Sequence, residues 1–323
     1  MFVPEYSITP KVLKNISIIE YAKAVIENTP ILPSWENQLK KEAKVILVQG
    51  YLINMGLNLD GLKVKGYLDN LDNNTPLEFM DLIKTLDLVG SLSQKKDFTE
   101  IEIREIAKTL THKGGYRDTK ISKKPNPEEL LALIVQFFDW LQSLDGKETH
   151  PIIAAAITKG FFEKIVPFKS SNKIISSLIS LLFLNSAGYD LKNIVFLENY
   201  FEKTRREYES ALLNVSLESA DFTSWIEYFT EGMSIELSNV KEKIKLLARD
   251  TKIAKATGRV KFTSRQERIV EYLQDYGVLQ NKDFEKVFPD ISEDSILRDL
   301  KVLIGKGIIQ KSGSTKSSMY ELA

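Results

Sequence analysis

The amino-acid sequence predicts a mainly α-helical protein: an all-helical body carrying one small β-hairpin flap, followed by a C-terminal domain of helices and a second hairpin. Three observations predict this. Apolar residues recur at three- and four-residue spacings through most of the first 247 positions, the pattern of amphipathic helices. From Asn172 to Ala187 the residues Ile174, Ile175, Leu178, Ile179, Leu181, Leu182, Phe183 and Leu184 cover nearly every face, which marks a helix buried on all sides. From residue 262 onward the pattern changes to short helical segments and a glycine-turned pair of strands.

Taken in order, Trp35 to Tyr51 carries Leu39, Ala43, Ile46, Leu47 and Gly50 at helical spacing, and Leu77 to Leu88 repeats the pattern, with a turn expected over Asn54 to Asp60. Phe98 to Leu110 has Thr99 as N-cap and Glu102 three residues on, a capping box. The paired glycines Gly114 and Gly115 break that helix, and His112 to Lys124 is the hairpin candidate of the first half. Pro127 to Leu144 resumes a helix with Leu130, Leu133, Ile134, Phe137, Phe138 and Leu141 inward. Pro151 to Ile165 follows with the stripe Ile153, Ile157 and Phe161, and Pro167 stops it. The turn at 169–171 offers the oxygens of Ser170 and Ser171 to the first N–H groups of the apolar helix, which Gly188 closes as a left-handed cap. That helix start, with its free N–H groups and positive dipole end, suits an anion. Glu198 to Val215 and Asp221 to about Leu247 complete the body; the second carries Trp225, Phe229, Met233, Leu237, Val240, Ile244 and Leu247, a core stripe long enough to leave room for self-association.

Residues 248–261 lose the periodicity and gain basic residues, so a linker is expected there. Beyond it, Arg265 to Tyr276, Asn281 to Phe288 and a segment from Ser292 to Ile304 form three helices, and Ile308 to Lys311 pairs with Ser318 to Leu322 across a turn at Gly313. Three helices and a hairpin describe a winged helix, a variant of the helix-turn-helix. The expected division is therefore 1–93 as a helical region packed on a core of 94–247, a linker at 248–261, and a C-terminal domain at 262–323.

Composition narrows the function. The 44 basic residues balance 44 acidic ones among 323, so no overall field draws the chain to nucleic acid or membrane and such contacts need a local patch. Without cysteine there is no disulfide or thiol chemistry, and with only His112 and His150 a zinc site or histidine relay has few candidates. No apolar run reaches the roughly 18 residues of a membrane span, and the N-terminus lacks a signal core, so a cytoplasmic, membrane-free protein is expected.

Lys159 to Tyr189 resembles the centre of the Fic (Fido) family, whose members mostly transfer AMP from ATP to a protein hydroxyl. The family pattern is His-Pro-Phe-x-Asp/Glu-Gly-Asn-Gly-Arg-x-x-Arg; here Pro167, Phe168 and Asn172 match it. His150-Pro151, Ala187-Gly188-Tyr189, the GGYR of Gly114 to Arg117 and TSWIEYFTEG around Trp225 fall in family order, and the similarity spans roughly residues 40–240. The resemblance implies a target-aligning flap at Gly115, Tyr116 and Arg117. It also implies a lost chemistry. The motif histidine, the general base, corresponds to Val166; the magnesium-holding acid to Ser170; the two phosphate-gripping arginines to Ile174 and Ser177; and the two glycines to Ser171 and Lys173. The inhibitory helix of many members, Ser/Thr-x-x-x-Glu-Gly/Asn, corresponds to Tyr51 through Gly56, with Met55 in the glutamate position.

The C-terminal domain resembles bacterial DeoR-like DNA-binding modules through Ser295-Ile296-Leu297-Arg298-Asp299-Leu300 and Lys306-Gly307-Ile308. Ser295, Arg298, Lys301, Lys306, Lys311 and Lys316 are the candidate DNA contacts, with Glu293, Asp294 and Asp299 close enough to offset them. A protein-protein module is the other use of such a domain.

The favoured expectation is a degenerate Fic protein acting as a DNA-binding regulator or scaffold, with an unknown protein partner, possible homodimerisation and no metal or cofactor. The loop 166–177 is then a structural cap, His112 and His150 are flap-edge and helix-entry residues, and Glu163, Asp139 and Tyr116 are ordinary structural residues. The alternative is an active nucleotidyltransferase or phosphate-group transferase that uses ATP and magnesium and holds the anion with Lys169, Ser171, Asn172 and Lys173.

Overall fold

The computed structural model describes residues 2–31, 33–71, 75–95, 98–256, 262–306, 308–313 and 318–322. Its Cα framework divides into two compact units: one of Met1–Asn28 with Glu42–Glu242, the other of Thr29–Lys41 with Lys243–Ala323.

The first unit is helical. Its elements are α1 (Pro10–Asn28), α2 (Pro33–Asn54), α3 (Gly61–Asp69), α4 (Leu77–Leu92), α5 (Glu100–Thr111), α6 (Leu130–Gln142), α7 (Leu144–Glu148), α8 (Pro151–Ile165), α9 (Asn172–Ser186), α10 (Glu198–Lys203), α11 (Arg205–Leu213) and α12 (Thr223–Ala256), the first residues of α2 and the last of α12 falling in the second unit. The local chemistry behind several boundaries is visible. Thr99 and Glu102 form the expected capping box of α5, with the Thr99 N–H donating to Glu102 at 2.8 Å. Gly188, at φ 78°, ends α9, and the Tyr189 N–H returns to the Leu184 carbonyl at 2.8 Å.

The paired helices α8 and α9 are the centre of this unit. α8 buries Ile152 to Phe162 without a break, and α9 buries Ile174 to Ser180. Such all-round burial explains why neither helix carries a conventional polar stripe. α12 lies against α8 through Trp225, whose Nε1 donates to the Ala156 carbonyl at 2.7 Å. Gly160 permits that approach, since a Cβ there would meet the indole at 2.8 Å. Phe137 and Phe161 stack at 4.7 Å between ring centroids, and Phe2 joins them from the N-terminal segment. Each such fully buried large side chain contributes about 1.5–3 kcal/mol of hydrophobic stabilisation.

Three expectations are corrected here. His112 to Lys124 is not a hairpin: its ladder contact is an isolated antiparallel bridge between Tyr116 and Phe168. The reason lies in the next residue, because the Arg117 side chain donates to the carbonyls of Thr119 and Pro125, which occupies acceptors that a return strand would use. The segment expected as one helix over Glu198 to Val215 breaks at Thr204, whose hydroxyl donates to the Tyr200 carbonyl at 2.8 Å and meets the Tyr228 hydroxyl at 2.7 Å. The helix expected to end near Leu247 continues to Ala256, which takes up much of the expected linker. Ala, Lys, Arg and Ile there retain helix propensity although they no longer form an apolar stripe; residues 257–261 lie outside the described residues.

In the second unit the order is α13 (Ser264–Tyr276), β1 (Val278–Gln280), α14 (Phe284–Val287), α15 (Glu293–Gly305), β2 (Ile309–Ser312) and β3 (Met319–Leu322). The sheet order is β1-β3-β2, antiparallel throughout, with Leu279 opposite Tyr320 and Lys311 opposite Tyr320 on the other side. Ile269, Leu273, Leu279, Phe284, Phe288, Ile296, Leu300, Leu303, Ile309 and Tyr320 make the core. β1 was not expected: three residues between helices carry too short a pattern to stand out, and pairing with β3 is what makes them a strand. Ser292 precedes α15 as expected, but its hydroxyl donates to Ser295 Oγ at 2.9 Å and not to the helix backbone.

Candidate functional site

The loop between α8 and α9 opens on Val166, which has φ 48° and ψ 63°. For a β-branched residue this left-handed conformation is strained. Its N–H still reaches the Phe162 carbonyl at 3.1 Å, and its own carbonyl accepts from Arg117 Nε at 2.8 Å. Arg117 is buried, and its guanidinium also donates to the carbonyls of Ile165, Thr119 and Pro125. A cation at the C-terminal end of α8 is favoured by the helix dipole and satisfies carbonyls that the helix leaves open. The arginine of the expected flap is thus turned inward as a clamp, and its N–H adds a bond to the Pro167 carbonyl at 2.8 Å. Tyr116 points away to α5, donating to Glu100 at 2.8 Å, with burial raising its hydroxyl pKa. Gly115 stands exposed with open space around it.

Asn172 holds the loop. Its Oδ1 accepts from the Phe168 N–H and its Nδ2 donates to the Phe168 carbonyl, both at 2.8 Å. Ser171, expected to cap α9, adopts φ 56° and makes no side-chain cap bond. Its oxygen is carried away by the same left-handed turn that lets Asn172 close the loop. Ser170 is exposed. Lys169 pairs with Asp118 of the flap segment at 2.8 Å, and that hydrogen bond lowers the Asp118 pKa. Lys173 leans over the Tyr208 ring, 4.9 Å from its centroid, and burial followed by the charge of Lys159 lowers its pKa. The four proposed anion contacts are therefore neighbours in the chain but do not converge: two are spent on other partners and two on the loop's own backbone geometry.

Ile174 and Ser177 face inward. Ser177 opens onto a polar cluster that the sequence reading treated as ordinary helix. Lys159 Nζ lies 2.6 Å from Glu163 Oε1 and donates to Ser177 Oγ at 2.8 Å and Ser176 Oγ at 3.4 Å. Ser176 and Tyr208 also donate to Glu163. Next to this cluster, Glu198 and Ser177 line a small cavity of about 40 Å³, room for a few waters. Burial holds the Glu198 carboxyl above its ordinary pKa, while Tyr51 from α2 is buried beside it with a hydroxyl that meets no partner at hydrogen-bonding geometry. Met55, one turn further along, is half-buried and bonds through its N–H to the Tyr51 and Leu52 carbonyls. One signal for the cluster existed: a Lys and a Glu four residues apart in a helix otherwise apolar on all faces must find each other or another counter-charge.

His150 caps α8 by accepting from the Ile152 N–H at 3.3 Å and faces Glu20, and His112 ends α5 against Asp81 at 2.7 Å. Asp139 is exposed on α6. No group of residues with metal-ligand geometry occurs among the described residues.

In the second unit Arg298 and Lys301 are exposed on α15 and Ser295 is half-exposed beside them. Lys306 lies 5.8 Å from the Phe262 ring centroid and Lys311 lies 5.9 Å from that of Tyr320. Lys316 lies outside the described residues. Asp299, expected to offset these charges, is instead buried and accepts from Arg265 and Gln266. The basic face of α15 is less neutralised than the sequence suggests.

Residues 97–184 match the family model described as the Fic/DOC family. α5 through most of α9 lie within the matched stretch. Solved structures agree in fold. A Fic family protein from Desulfovibrio desulfuricans G20 superposes with a TM-score of 0.66 at 17% identity, over 100% of this chain and 98% of that one. A Fic domain containing signaling protein from Bacteroides thetaiotaomicron VPI-5482 gives 0.59 at 18% identity, covering 74% of this chain and 98% of its own, and Fic-1 (aa134 - 508) from C. elegans gives 0.58 at 15%, covering 72% and 74%. Among curated proteins no match was found. The mainly helical architecture is accordingly that of Fic proteins. No helix among the described residues is long and apolar enough to cross a membrane.

Proposed function

We propose that this chain is a Fic-fold pseudoenzyme: a regulatory or scaffold protein that does not transfer AMP and whose C-terminal unit is a winged helix that binds DNA. The observation that carries the first half is the loop from Val166 to Ser177, which keeps a closed backbone through Asn172 but presents no proton acceptor at Val166 and buries Ile174 and Ser177. A general base must reach the hydroxyl proton it removes, and a triphosphate needs charged donors placed around it. Neither requirement is met by a valine, an isoleucine and a serine already engaged by Lys159. The alternative, a transferase using Lys169 and Lys173, is weaker because each lysine has a different partner. ATP and magnesium then have no role.

Calorimetry of the full chain with ATP, GTP and CDP-type donors plus magnesium tests this, with no heat of binding expected; micromolar binding retires the pseudoenzyme reading. Val166→His supplies a control. Histidine tolerates the left-handed conformation better than valine, so the variant should fold at least as well. It should still not label protein with AMP, because a base without a positioned phosphate donor has nothing to act on.

The second half rests on the exposed Arg298 and Lys301 and on the three-helix, three-strand order of the C-terminal unit, which suits a helix docked in the major groove with a wing beside it. An electrophoretic shift at low salt is expected, and Arg298→Ala should weaken it; no shift by the wild-type chain would refute DNA binding.

A further inference from the structure

α15 is amphipathic, but one residue of its buried face is a carboxylate. Its inward positions are Ile296, Asp299, Leu300 and Leu303, and Asp299 is only 4% exposed. Among the described residues the Asp299 carboxylate is satisfied from one neighbour, the first turn of α13. Oδ2 accepts from Arg265 Nε at 2.8 Å and Oδ1 from Gln266 Nε2 at 2.9 Å. Gln266 is itself fixed, because its Oε1 accepts from the Thr263 N–H at 3.2 Å in the α13 capping box. The carboxylate therefore meets one buried donor fixed by a helix start, Gln266, and one half-exposed donor, Arg265, whose backbone belongs to the same first turn.

The geometry has a directional consequence. Apolar contacts such as Ile296 and Leu300 tolerate small changes of helix roll, because dispersion and burial are non-directional. A buried carboxylate does not, since a rotation that separates it from its donors leaves an unpaired charge. Residues on a helix are spaced by about 100°, so fixing Asp299 inward also fixes the direction of Arg298, Ser295 and Lys301. Among the described residues Arg298 meets no acidic partner, and the acidic residue beside it in sequence is the one turned away.

We propose that Asp299 is a positioning residue for nucleic-acid recognition: bound to Arg265 and Gln266, it sets the roll of α15 so that Ser295, Arg298 and Lys301 face the DNA, while Asp299 itself touches none. This rests on the reading of the C-terminal unit as a DNA-binding module. Its mark is a loss of discrimination between sequences larger than the loss of general affinity, since phosphate contacts survive a small rotation better than base-edge contacts.

The test uses the full chain and two labelled duplexes read by fluorescence anisotropy: the tightest binder selected by the wild-type chain from a randomised library, and a random-sequence duplex. Asp299→Ala should weaken the selected duplex at least tenfold and the random duplex less than threefold. Arg265→Ala with Gln266→Ala, which acts from the α13 side, should lower the same ratio, and adding it to Asp299→Ala should change the ratio less than twofold, as expected for a shared interaction. Asp299→Asn keeps the shape and one acceptor, so it should fold even if the alanine variant does not and should give an intermediate ratio. An unchanged ratio in folded Asp299→Asn and in the Arg265, Gln266 double variant overturns the positioning role while leaving DNA binding intact. If the wild-type chain binds neither duplex, the DNA-binding reading falls and the positioning role falls with it.

Discussion

Glu163→Gln isolates the energetics of the cluster beneath the loop. The Lys159 and Glu163 side chains are 1% and 8% exposed, and their charged atoms lie 2.6 Å apart. The amide keeps the shape of the carboxylate and can still accept from Tyr208, but it removes the counter-charge of a fully buried ammonium. Lys159 keeps the hydroxyls of Ser177 and Ser176, the rings of Phe201 and Tyr208 at 5.2 and 5.4 Å, and the more distant buried Glu198 carboxyl. Breaking one side of a buried ion pair costs about 3–5 kcal/mol, and the retained acceptor places this variant at about 3 kcal/mol. For a unit of this size that lowers Tm by roughly 6–12 °C. Urea unfolding followed through tryptophan fluorescence measures it, since Trp225 sits 5.2 Å from the Tyr208 ring in the same packing region. Replacing both partners, Lys159→Met with Glu163→Leu, should recover only part of the loss: the unpaired charge is gone, but the buried Tyr208 and Ser177 hydroxyls lose their partners. A single-variant loss below about 1 kcal/mol would show that Lys159 is solvated or paired elsewhere, and the account of the cluster would fail.

Two further perturbations probe the same unit. Gly160→Ala places a methyl 2.8 Å from Trp225 Cδ1 and Nε1; overpacking of about 1–3 kcal/mol outweighs the helix propensity gained, and urea midpoints should fall accordingly. Glu198→Gln should act through pH. Burial raises the folded-state pKa of Glu198, so its neutral form stabilises the fold fully below the unfolded pKa of about 4.3 and that contribution is lost as pH rises through the folded value. The glutamine variant should match wild type near pH 4 and become the more stable of the two by pH 7; parallel stability-pH curves would contradict this.

Much of the fold follows from side-chain spacing and a few punctuating residues. Thr99 with Glu102, Pro151, Pro167 and Gly188 act locally, and each marks its helix boundary where the chain is read without neighbours. What local reading misses are features decided by partners distant in sequence. β1 exists because Leu279 lies beside Tyr320, and the flap segment is coil because the Arg117 guanidinium takes its carbonyls. At the loop, the side chains at 166, 170, 174 and 177 are legible as residue types. Their surroundings are not: Lys169 and Lys173 look like a basic pair for an anion, and only the fold assigns one to Asp118 and the other to Tyr208. Asp299 reads as a surface acid next to Arg298, yet a helix turns adjacent residues about 100° apart and sends one of them inside.

The pair of hydrogen bonds between the Asn172 side chain and the two backbone groups of Phe168 has an evolutionary consequence. The loop keeps its outline by a ring of contacts that includes neither the Val166 nor the Ser170 side chain. Form and chemistry are inherited through different residues here. The chemistry at those two positions can change while the loop's outline stays the same, and at Val166 a residue that accepts φ 48° more readily also relieves backbone strain.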